Sequence, residues 1–96
     1  METEELIAMQ IYCDKEGLEA SFVEALHERG LIRITTIKEQ RYVEPEYLPH
    51  IEKLARMHYD LQINLEGIEA ISHMLERMET MQQEMRVLQQ RLGIYE

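Results

Sequence analysis

The sequence predicts a mainly α fold, in which a winged helix-turn-helix module with a short β-hairpin is followed by a long C-terminal dimerisation helix that forms a coiled coil. Three observations predict it. Two short helical patterns are each ended by a glycine, two short strand-like segments follow them, and the final part of the chain carries an unbroken apolar repeat. We expect residues 1–63 to form the winged module and residues 64–96 the long helix, as one structural domain.

The helix-turn-helix is predicted from two glycines that end short apolar patterns. Apolar residues at helical spacing over residues 9–16 stop at Gly17, and a second such pattern over residues 19–29 stops at Gly30. Two short helices joined by a glycine-containing turn are typical of a helix-turn-helix. The single cysteine, Cys13, lies on the apolar side of the first pattern, so we expect it to be a small core residue.

The segments after the second helix predict a wing and a third helix. Residues 31–37 are rich in β-branched side chains and residues 41–43 follow after a polar break, which together predict a β-hairpin. Pro45 is suited to the first position of a helix, and Glu44 and Glu46 favour the positive end of that helix. The apolar stripe of this third helix is expected to consist of Tyr47, Leu48, Ile51, Leu54, Ala55 and Leu61.

The last helix carries the strongest periodic pattern in the chain. Asn64 is a good N-cap for it, and Ile63 with Ile68 match a hydrophobic staple around that cap. The apolar residues of this helix recur at the a and d positions of a coiled coil and form a continuous seam. The residues of the seam are Ile71, Met74, Met78, Met81, Met85, Leu88, Leu92 and Tyr95.

This seam predicts a homodimer. At about 1.5 Å of rise per residue the helix would be roughly 40 Å long, which exceeds what the small module can cover. The same helix in a second copy is the simplest partner, and an amphipathic helix lying on its own module is the alternative. Methionine specifies geometry weakly and the flanking e and g residues form no obvious charge pattern, so parallel and antiparallel pairing are both open. These flanking residues include Arg77, Gln82, Glu84, Gln89 and Arg91.

The amino-acid composition and the motifs of the chain disfavour several classes of function. The net charge of −9 disfavours phosphate binding, although a local basic patch could still bind DNA. A lone cysteine cannot form an intrachain disulfide and no apolar run reaches the roughly 18 residues of a membrane span, so we expect a cytoplasmic protein with no membrane segment. The sequence has no nucleophile motif, phosphate-binding loop or metal-ligand spacing, which predicts no enzyme activity, no cofactor and no metal.

The order of elements resembles the MerR family of transcriptional regulators over nearly the whole chain. Members of that family carry an Arg-aromatic-Tyr run on the second helix, where this chain has Glu24, Ala25 and Leu26. A glutamate therefore stands where an arginine would reach DNA. In the wing, Arg41 matches the family, whereas Val43 replaces its tyrosine and the turn glycine is absent.

The resemblance is closer to the chaperone-modulator branch of that fold, the CbpM family. It is carried by Tyr12-Cys13 ahead of Gly17-Leu18, by the stretch over residues 56–68, and by residues 88–92. The resemblance implies that the chain binds the J-domain of a CbpA/DnaJ-type co-chaperone and inhibits its action with Hsp70. An acidic chain agrees with that role, because opposite charge promotes association with the basic helix that a J-domain presents.

Acidic residues in two places are the candidate contacts with this partner. Glu24 and Glu28 lie four residues apart on one helical face, where a solvated acidic face is the alternative interpretation. The acids around the start of the last helix could equally stabilise its first turn. The predicted partner-binding residues are Glu24, Glu28, Asp60, Glu66 and Glu69, with Tyr59 as an apolar anchor.

Two other functions are compatible with the sequence. A MerR-type DNA-binding regulator would use Arg33, Lys38 and Arg41 of the hairpin to contact phosphate. Exposed cations on a short strand also prevent unwanted strand pairing, which is the simpler explanation for these residues. A dimeric adaptor with an unrelated partner is the third function.

Overall fold

The computed structural model describes residues 5–93, within which four α-helices and three β-strands form a winged helix-turn-helix and a long terminal helix. This architecture confirms the predicted mainly α fold, with a winged helix-turn-helix followed by a long helix. In chain order the elements are β1 (Ile7–Ala8), α1 (Met9–Glu16), α2 (Ala20–Glu28), β2 (Ile34–Ile37), β3 (Gln40–Val43), a 3₁₀ turn (Pro45–Tyr47), α3 (Leu48–Ala55), a π-turn (Arg56–Asp60) and α4 (Leu65–Leu92).

The turn between α1 and α2 depends on Gly17, whose φ of 72° lies in the left-handed region. This conformation lets the Leu18 N–H donate to the Cys13 carbonyl oxygen at 2.9 Å, which ends α1. Gly30, with a φ of 76°, follows α2 in the same conformation. Both helix ends that the glycines predicted are therefore confirmed.

The wing is a three-stranded antiparallel sheet within the described residues, and not only the predicted two-stranded hairpin. The central strand is β3, where Val43 pairs with Ile7 of β1 on one side and Ile34 of β2 on the other. β1 has two residues, too few for an alternating pattern to indicate it. The predicted start of the first hairpin strand is also wrong, because Leu31 and Ile32 are buried in the connection from α2 and β2 begins later.

The hairpin turn is built without glycine. Lys38 and Glu39 take φ values of 51° and 68°, which place both residues in the left-handed region. Two successive residues of this kind match the right-handed twist of the flanking strands. The turn glycine that the wing lacks is thus replaced by two residues that adopt the required conformation at some conformational cost.

The end of α3 departs from the prediction at Leu61. The helix continues through a π-turn, in which the Leu61 N–H donates to the Arg56 carbonyl oxygen at 3.2 Å, five residues back. This wider turn inserts one residue into the helical repeat and rotates the next position away from the core. Leu61 is 67% exposed, so its predicted place on the apolar stripe is wrong. The other stripe residues pack on the core, with Ile51, Leu54 and Ala55 buried and Tyr47 and Leu48 partly buried.

A single hydrophobic core lies between the helix-turn-helix, the sheet, α3 and the start of α4. Its residues without exposed surface include Val23, Leu26, Val43, Ile51, Leu54 and Ile68. Cys13 is only 1% exposed, which confirms it as a core residue. Burial raises the pKa of the Cys13 thiol, so the sulfur remains protonated at neutral pH.

Asn64 caps α4 as predicted. Its Oδ1 accepts a hydrogen bond from the Gly67 N–H at 2.7 Å. Ile68 is fully buried and Ile63 packs against the same core, in agreement with the predicted hydrophobic staple. Gly67 has no room for a side chain, because a Cβ atom there would lie 2.8 Å from Ile63 Cγ2 and 3.1 Å from Asn64 Oδ1.

Most of α4 lies outside the core. Ile68 and Ser72 are its buried residues, and from His73 to Leu92 every side chain is exposed except half-buried Gln89. The long helix makes the molecule elongated, with a longest dimension of 52 Å. None of the helices in residues 5–93 has the length and apolar character needed to span a membrane.

Candidate protein-binding surface

Glu24, in the middle of α2, is bound to the wing. Arg41 donates a hydrogen bond from Nη2 to Glu24 Oε1 at 2.9 Å, and the two side chains are 37% and 32% exposed. Glu28, one turn further along α2, is exposed and forms no ion pair within residues 5–93. The two acids predicted to act together on α2 therefore differ, because the charge of Glu24 is compensated by Arg41 and the charge of Glu28 is not compensated by an ion pair within the described residues.

Arg29 ties the end of α2 to the first turns of α4. It donates from Nη1 to Glu69 Oε1 at 2.8 Å and from Nη2 to Glu66 Oε2 at 3.4 Å. The hydrogen bond to Glu69 raises the pKa of Arg29, so its charge is permanent. Two of the predicted contact residues thus hold the module against the long helix, although the Glu66 side chain remains 74% exposed.

Tyr59 belongs to an aromatic cluster between α2 and the π-turn. The ring of Phe22 stacks on His58 at 4.7 Å between centroids and meets Tyr59 edge-on at 5.4 Å. The Tyr59 hydroxyl accepts a hydrogen bond from the Glu19 N–H at 3.1 Å, and His58 Nδ1 lies 3.1 Å from the Ile63 carbonyl oxygen. Tyr59 is still 38% exposed. Its ring is therefore held by Phe22 and by the hydrogen bond from Glu19 while part of it remains accessible at the surface.

The residues that follow Tyr59 complete an exposed patch, which we call the Tyr59 patch (Tyr59, Asp60 and Leu61). Asp60 is exposed and forms no ion pair within the described part of the chain. Leu61, which sequence reasoning assigned to the core, instead adds an apolar side chain to this surface. An aromatic, an acidic and an aliphatic side chain are therefore exposed at three consecutive positions of the chain.

The cations of the hairpin offer little free positive charge. Arg41 is bound to Glu24, and Arg33 Nη1 lies 3.9 Å from Glu44 Oε2 with its guanidinium 6.0 Å above the Tyr47 ring. Lys38 is exposed in the hairpin turn and has no ion pair among residues 5–93. Of the three cations predicted as phosphate contacts, Lys38 is thus the one that forms no ion pair within residues 5–93.

The apolar seam of α4 is exposed along most of its length. Ile71 is half-buried at its start, and Tyr95 lies outside the described residues. The side chains between them are exposed by 55–73%, namely Met74, Met78, Met81, Met85, Leu88 and Leu92. Arg77 and Glu84 flank the seam, both exposed and without an ion pair in residues 5–93. The predicted seam is therefore accessible to a second helix.

A surface that sequence reasoning missed lies between α1 and the end of α3. Two adjoining hollows of about 380 and 290 Å³ share part of their walls and form one groove, which we call the Tyr12 groove. Tyr12 lines its first part, and its buried hydroxyl has no hydrogen-bond partner within the described residues. The two hollows are lined by Tyr12, Glu16, Gly17, Leu18, Glu52, Ala55, Arg56, Tyr59 and Asp60.

Each wall of this groove carries a pair of residues at helical spacing. Tyr12 and Glu16 are one turn apart on α1, and Glu52 and Arg56 are one turn apart at the end of α3. Packing of α1 against the end of α3 brings the two pairs to the same groove, which a single sequence does not reveal.

For metal binding, residues 5–93 contain no group of three or more His, Cys, Asp or Glu side chains arranged as ligands.

Comparison with known proteins identifies the domain. A family model described as MerR HTH family regulatory protein matches residues 7–90. The match begins in β1 and ends within α4, so it includes the helix-turn-helix, the wing and most of the long helix. No curated protein and no solved structure matches the chain.

Proposed function

This chain belongs to the MerR HTH family of regulatory proteins, and we propose that within this family it is a protein-binding regulator and not a DNA reader. Its partner in this proposal is the J-domain of a CbpA/DnaJ-type co-chaperone in the cytoplasm. Binding inhibits the action of that co-chaperone with Hsp70 by occlusion, because the chain covers the basic helix that Hsp70 would contact. The role requires no catalysis and no cofactor.

The observation that carries the proposal is the ion pair between Glu24 and Arg41. A DNA reader obtains its sequence-independent affinity from arginine and lysine side chains that neutralise phosphates. Here a glutamate of the second helix compensates the wing arginine, and Glu19 and Glu28 add further negative charge to the same helix region. This face would repel a phosphate backbone and attract a basic protein surface.

The choice of a J-domain rests on the resemblance to the CbpM family, and the exposed charges support it. Glu28, Asp60 and Glu66 are the exposed acids among the predicted contacts, and they lie on α2, the π-turn and the start of α4. Acids at three places on the surface increase the rate of association with a basic helix and the selectivity for such a partner. They increase the affinity less. The Tyr59 patch supplies the apolar anchors beside them.

The proposed regulator is a homodimer that pairs through α4. A row of exposed methionines and leucines along one helix face is unusual for a stable monomer, because burial of each such side chain is favourable by about 1.5–3 kcal/mol. A second copy of the same helix presents a matching seam. We therefore propose that residues 71–92 form a two-stranded coiled coil.

Parallel pairing of these helices would leave the charges of Arg77 and Glu84 without partners. In a parallel coiled coil, each g residue faces the e residue of the next heptad in the partner. Arg77 would then face Gln82, and Glu84 would face Gln89. Neither of these two contacts is an ion pair, and Arg91 facing the partner subunit's Glu96 at the end of the seam is the opposite-charge contact that parallel pairing offers.

Antiparallel pairing gives these charges partners. When Met78 of one protomer packs on the partner subunit's Met81, Ile71 packs on the partner subunit's Leu88, and the seam forms six layers. In this register Arg77 lies opposite the partner subunit's Glu84, and the two-fold axis creates the same ion pair twice. We propose the antiparallel dimer in this register because its ion pairs lie near the middle of the seam, whereas the Arg91–Glu96 contact of the parallel dimer lies at its end.

The experiment that tests the proposed function is a titration of the full chain against an isolated J-domain from the same organism, at low and moderate salt. We expect saturable binding that weakens as salt rises, because the contacts are between opposite charges. In a companion titration, duplex DNA from the promoter of the gene for this chain should not bind at the same protein concentration. Retention of the duplex without J-domain binding would contradict the proposal.

DNA binding is the second candidate function, and the family match favours it at the level of the domain. It would require Lys38 and Arg33 to contact phosphate, with Glu24 turned away from the bases or accepting from cytosine N4. Arg33 is the better exposed of the paired hairpin cations, at 65% for its side chain. The same titration separates the two functions, and binding to neither probe would leave a dimeric adaptor with an unrelated partner.

A further inference from the structure

We propose that the Tyr12 groove receives a lysine side chain from the basic helical face of the protein partner. The inference rests on the proposed function, in which that face belongs to a J-domain, and it assigns a specific socket on this chain. The ammonium group would be held by the Tyr12 hydroxyl and by the carboxylates of Glu16 and Glu52. The aliphatic stem would lie against Leu18 and Ala55, which line the same groove.

The first support is the unsatisfied hydroxyl of Tyr12. The residue is 6% exposed, and its oxygen has no hydrogen-bond partner within residues 5–93. Burial of such a group without a partner is unfavourable, and an N–H donor that reached the oxygen, which is itself covered in the unbound chain, would relieve that cost. Burial, together with Glu52 and Glu16, raises the pKa of Tyr12 to about 12, so the group is a neutral phenol whose oxygen can accept a hydrogen bond.

The second support is the charge around that hydroxyl. Glu16 and Glu52 line the groove, are exposed, and form no ion pair within the described residues. Both side chains line the part of the groove that Tyr12 lines, and after burial their charges also raise the pKa of Tyr12. Together the three groups offer acceptors for the three N–H donors of a lysine ammonium.

The third support is continuity with the surface already proposed as the interface. The second part of the groove is lined by Tyr59 and Asp60 of the Tyr59 patch, and Glu16, Leu18 and Arg56 line both parts. A helix that contacts the Tyr59 patch could therefore insert a side chain from an adjacent turn into the groove. Arg56 is the one cation of the lining, and it opposes a bound lysine electrostatically.

The variant Tyr12→Phe tests whether the Tyr12 hydroxyl contacts the protein partner or only stabilises the folded chain. The change removes only the hydroxyl, which has no partner within residues 5–93, so the midpoint of denaturation should be unchanged or higher. If the hydroxyl binds lysine, affinity for an isolated J-domain should fall by about 3- to 10-fold, the effect of losing one hydrogen bond. A variant that is as stable as wild type and binds the J-domain equally well would overturn the role of Tyr12.

The carboxylates are tested by the double substitution Glu16→Gln and Glu52→Gln. We expect at least about 10-fold weaker J-domain binding and a smaller dependence on salt, because two charges next to the ammonium are removed. The matched control is the double substitution Glu39→Gln and Glu46→Gln, which makes the same charge change at exposed positions outside the groove. Arg56→Gln should strengthen binding, since it removes the opposing cation. Equal weakening by both double variants would contradict a specific socket.

A second probe separates failure of the groove from failure of the proposed function. A short helical peptide with a single exposed lysine is titrated into the wild-type chain, with a norleucine peptide as the control. We expect the lysine peptide alone to shift the NMR amide signals of Leu18 and Ala55. These shifts without J-domain binding would support the groove and refute the J-domain as partner. J-domain binding that the groove variants leave unaltered, or unshifted Leu18 and Ala55 signals, would overturn the groove.

Discussion

Arg41 of the wing donates a 2.9 Å hydrogen bond to Glu24 of the second helix, so the residue positioned to reach phosphate is bound to an acid of the same protein. The pair joins two elements that a winged helix normally directs at DNA. Glu24 stands where the MerR pattern has an arginine, so the glutamate both adds a negative charge to the second helix and binds the wing arginine. This relationship is the main support for the protein-binding role proposed above.

Glu24→Ala should free Arg41 and restore some affinity for DNA. The pair is about one-third exposed on each side, so the free energy of unfolding should fall by no more than about 1 kcal/mol. Affinity for duplex DNA should rise, and its salt dependence should steepen by about one phosphate contact. Fluorescence anisotropy with a labelled duplex measures both quantities.

The matched control for this change is Glu28→Ala. It removes the same charge from the same helix, but Glu28 has no cation to release within residues 5–93. If the two variants gained equal DNA affinity with equal salt dependence, then net charge and not the release of Arg41 would explain the effect.

Gly67→Ala should destabilise the chain, although alanine normally favours a helix. The new Cβ would approach Ile63 Cγ2 to 2.8 Å and crowd the cap oxygen of Asn64, so the capping hydrogen bond would be lost. We expect a loss of about 1–2 kcal/mol in chemical denaturation, the usual value for an N-cap. Asn64→Ala removes the same bond, and the double variant should therefore lose less than the sum of the two. A Gly67→Ala variant as stable as wild type would show that the cap tolerates the methyl group.

Local rules predicted much of the fold. Gly17 and Gly30 end helices, Asn64 begins one, and Cys13 is buried, each for a reason that acts within a few residues along the chain. These features follow from backbone conformation and side-chain size. Because they need no knowledge of distant contacts, a single sequence was sufficient for them.

Features that depend on distant contacts could not be predicted. β1 exists because Ile7 pairs with Val43, and Arg29 meets Glu69 across 40 positions of sequence. The π-turn that exposes Leu61 has no distinct pattern in one sequence, since it differs from an α-turn by a single inserted residue. The Tyr12 groove was missed for the same reason, because its walls come from two helices that only the fold brings together.

His50 should make the protein less stable in mild acid. Burial, and then the charge of Lys53, lowers the pKa of His50 below 6.5, with Glu76 acting in the opposite direction. The unfolded chain therefore binds a proton more readily than the folded one, so the free energy of unfolding falls as pH drops from 7 to 5. His50→Gln should flatten this slope in denaturation experiments across that range, whereas His73→Gln, an exposed histidine on α4, is the matched control. Identical slopes for the wild type and His50→Gln would refute the assignment.

Substitution of the seam should abolish the proposed dimer. Met78→Lys with Met81→Lys puts four charges at the centre of the coiled coil, so sedimentation should show a monomer at concentrations where the wild type is a dimer. Gln83→Lys with Gln90→Lys adds the same charges on the opposite face of α4 and should leave the dimer intact. A wild-type chain that sediments as a monomer would contradict the pairing.

The orientation of that dimer is tested by exchanging its flanking charges. Arg77→Glu should weaken an antiparallel dimer, because it places a carboxylate opposite the partner subunit's Glu84 at both symmetry-related contacts. Adding Glu84→Arg should restore the dimer, since the ion pair is re-formed with reversed polarity. In a parallel dimer neither change would have this effect, because both residues would face glutamine.

The decisive experiment for occlusion of the J-domain measures ATP hydrolysis by Hsp70 in the presence of the J-domain while this protein is added. Occlusion of the basic helix predicts that the stimulation due to the J-domain disappears as the added protein saturates it, while the basal rate of Hsp70 is unchanged. The double variant Glu24→Lys and Glu28→Lys should inhibit less, because it repels the basic helix. Full stimulation at concentrations that saturate the J-domain would contradict the account, since binding would then leave the Hsp70 contact free.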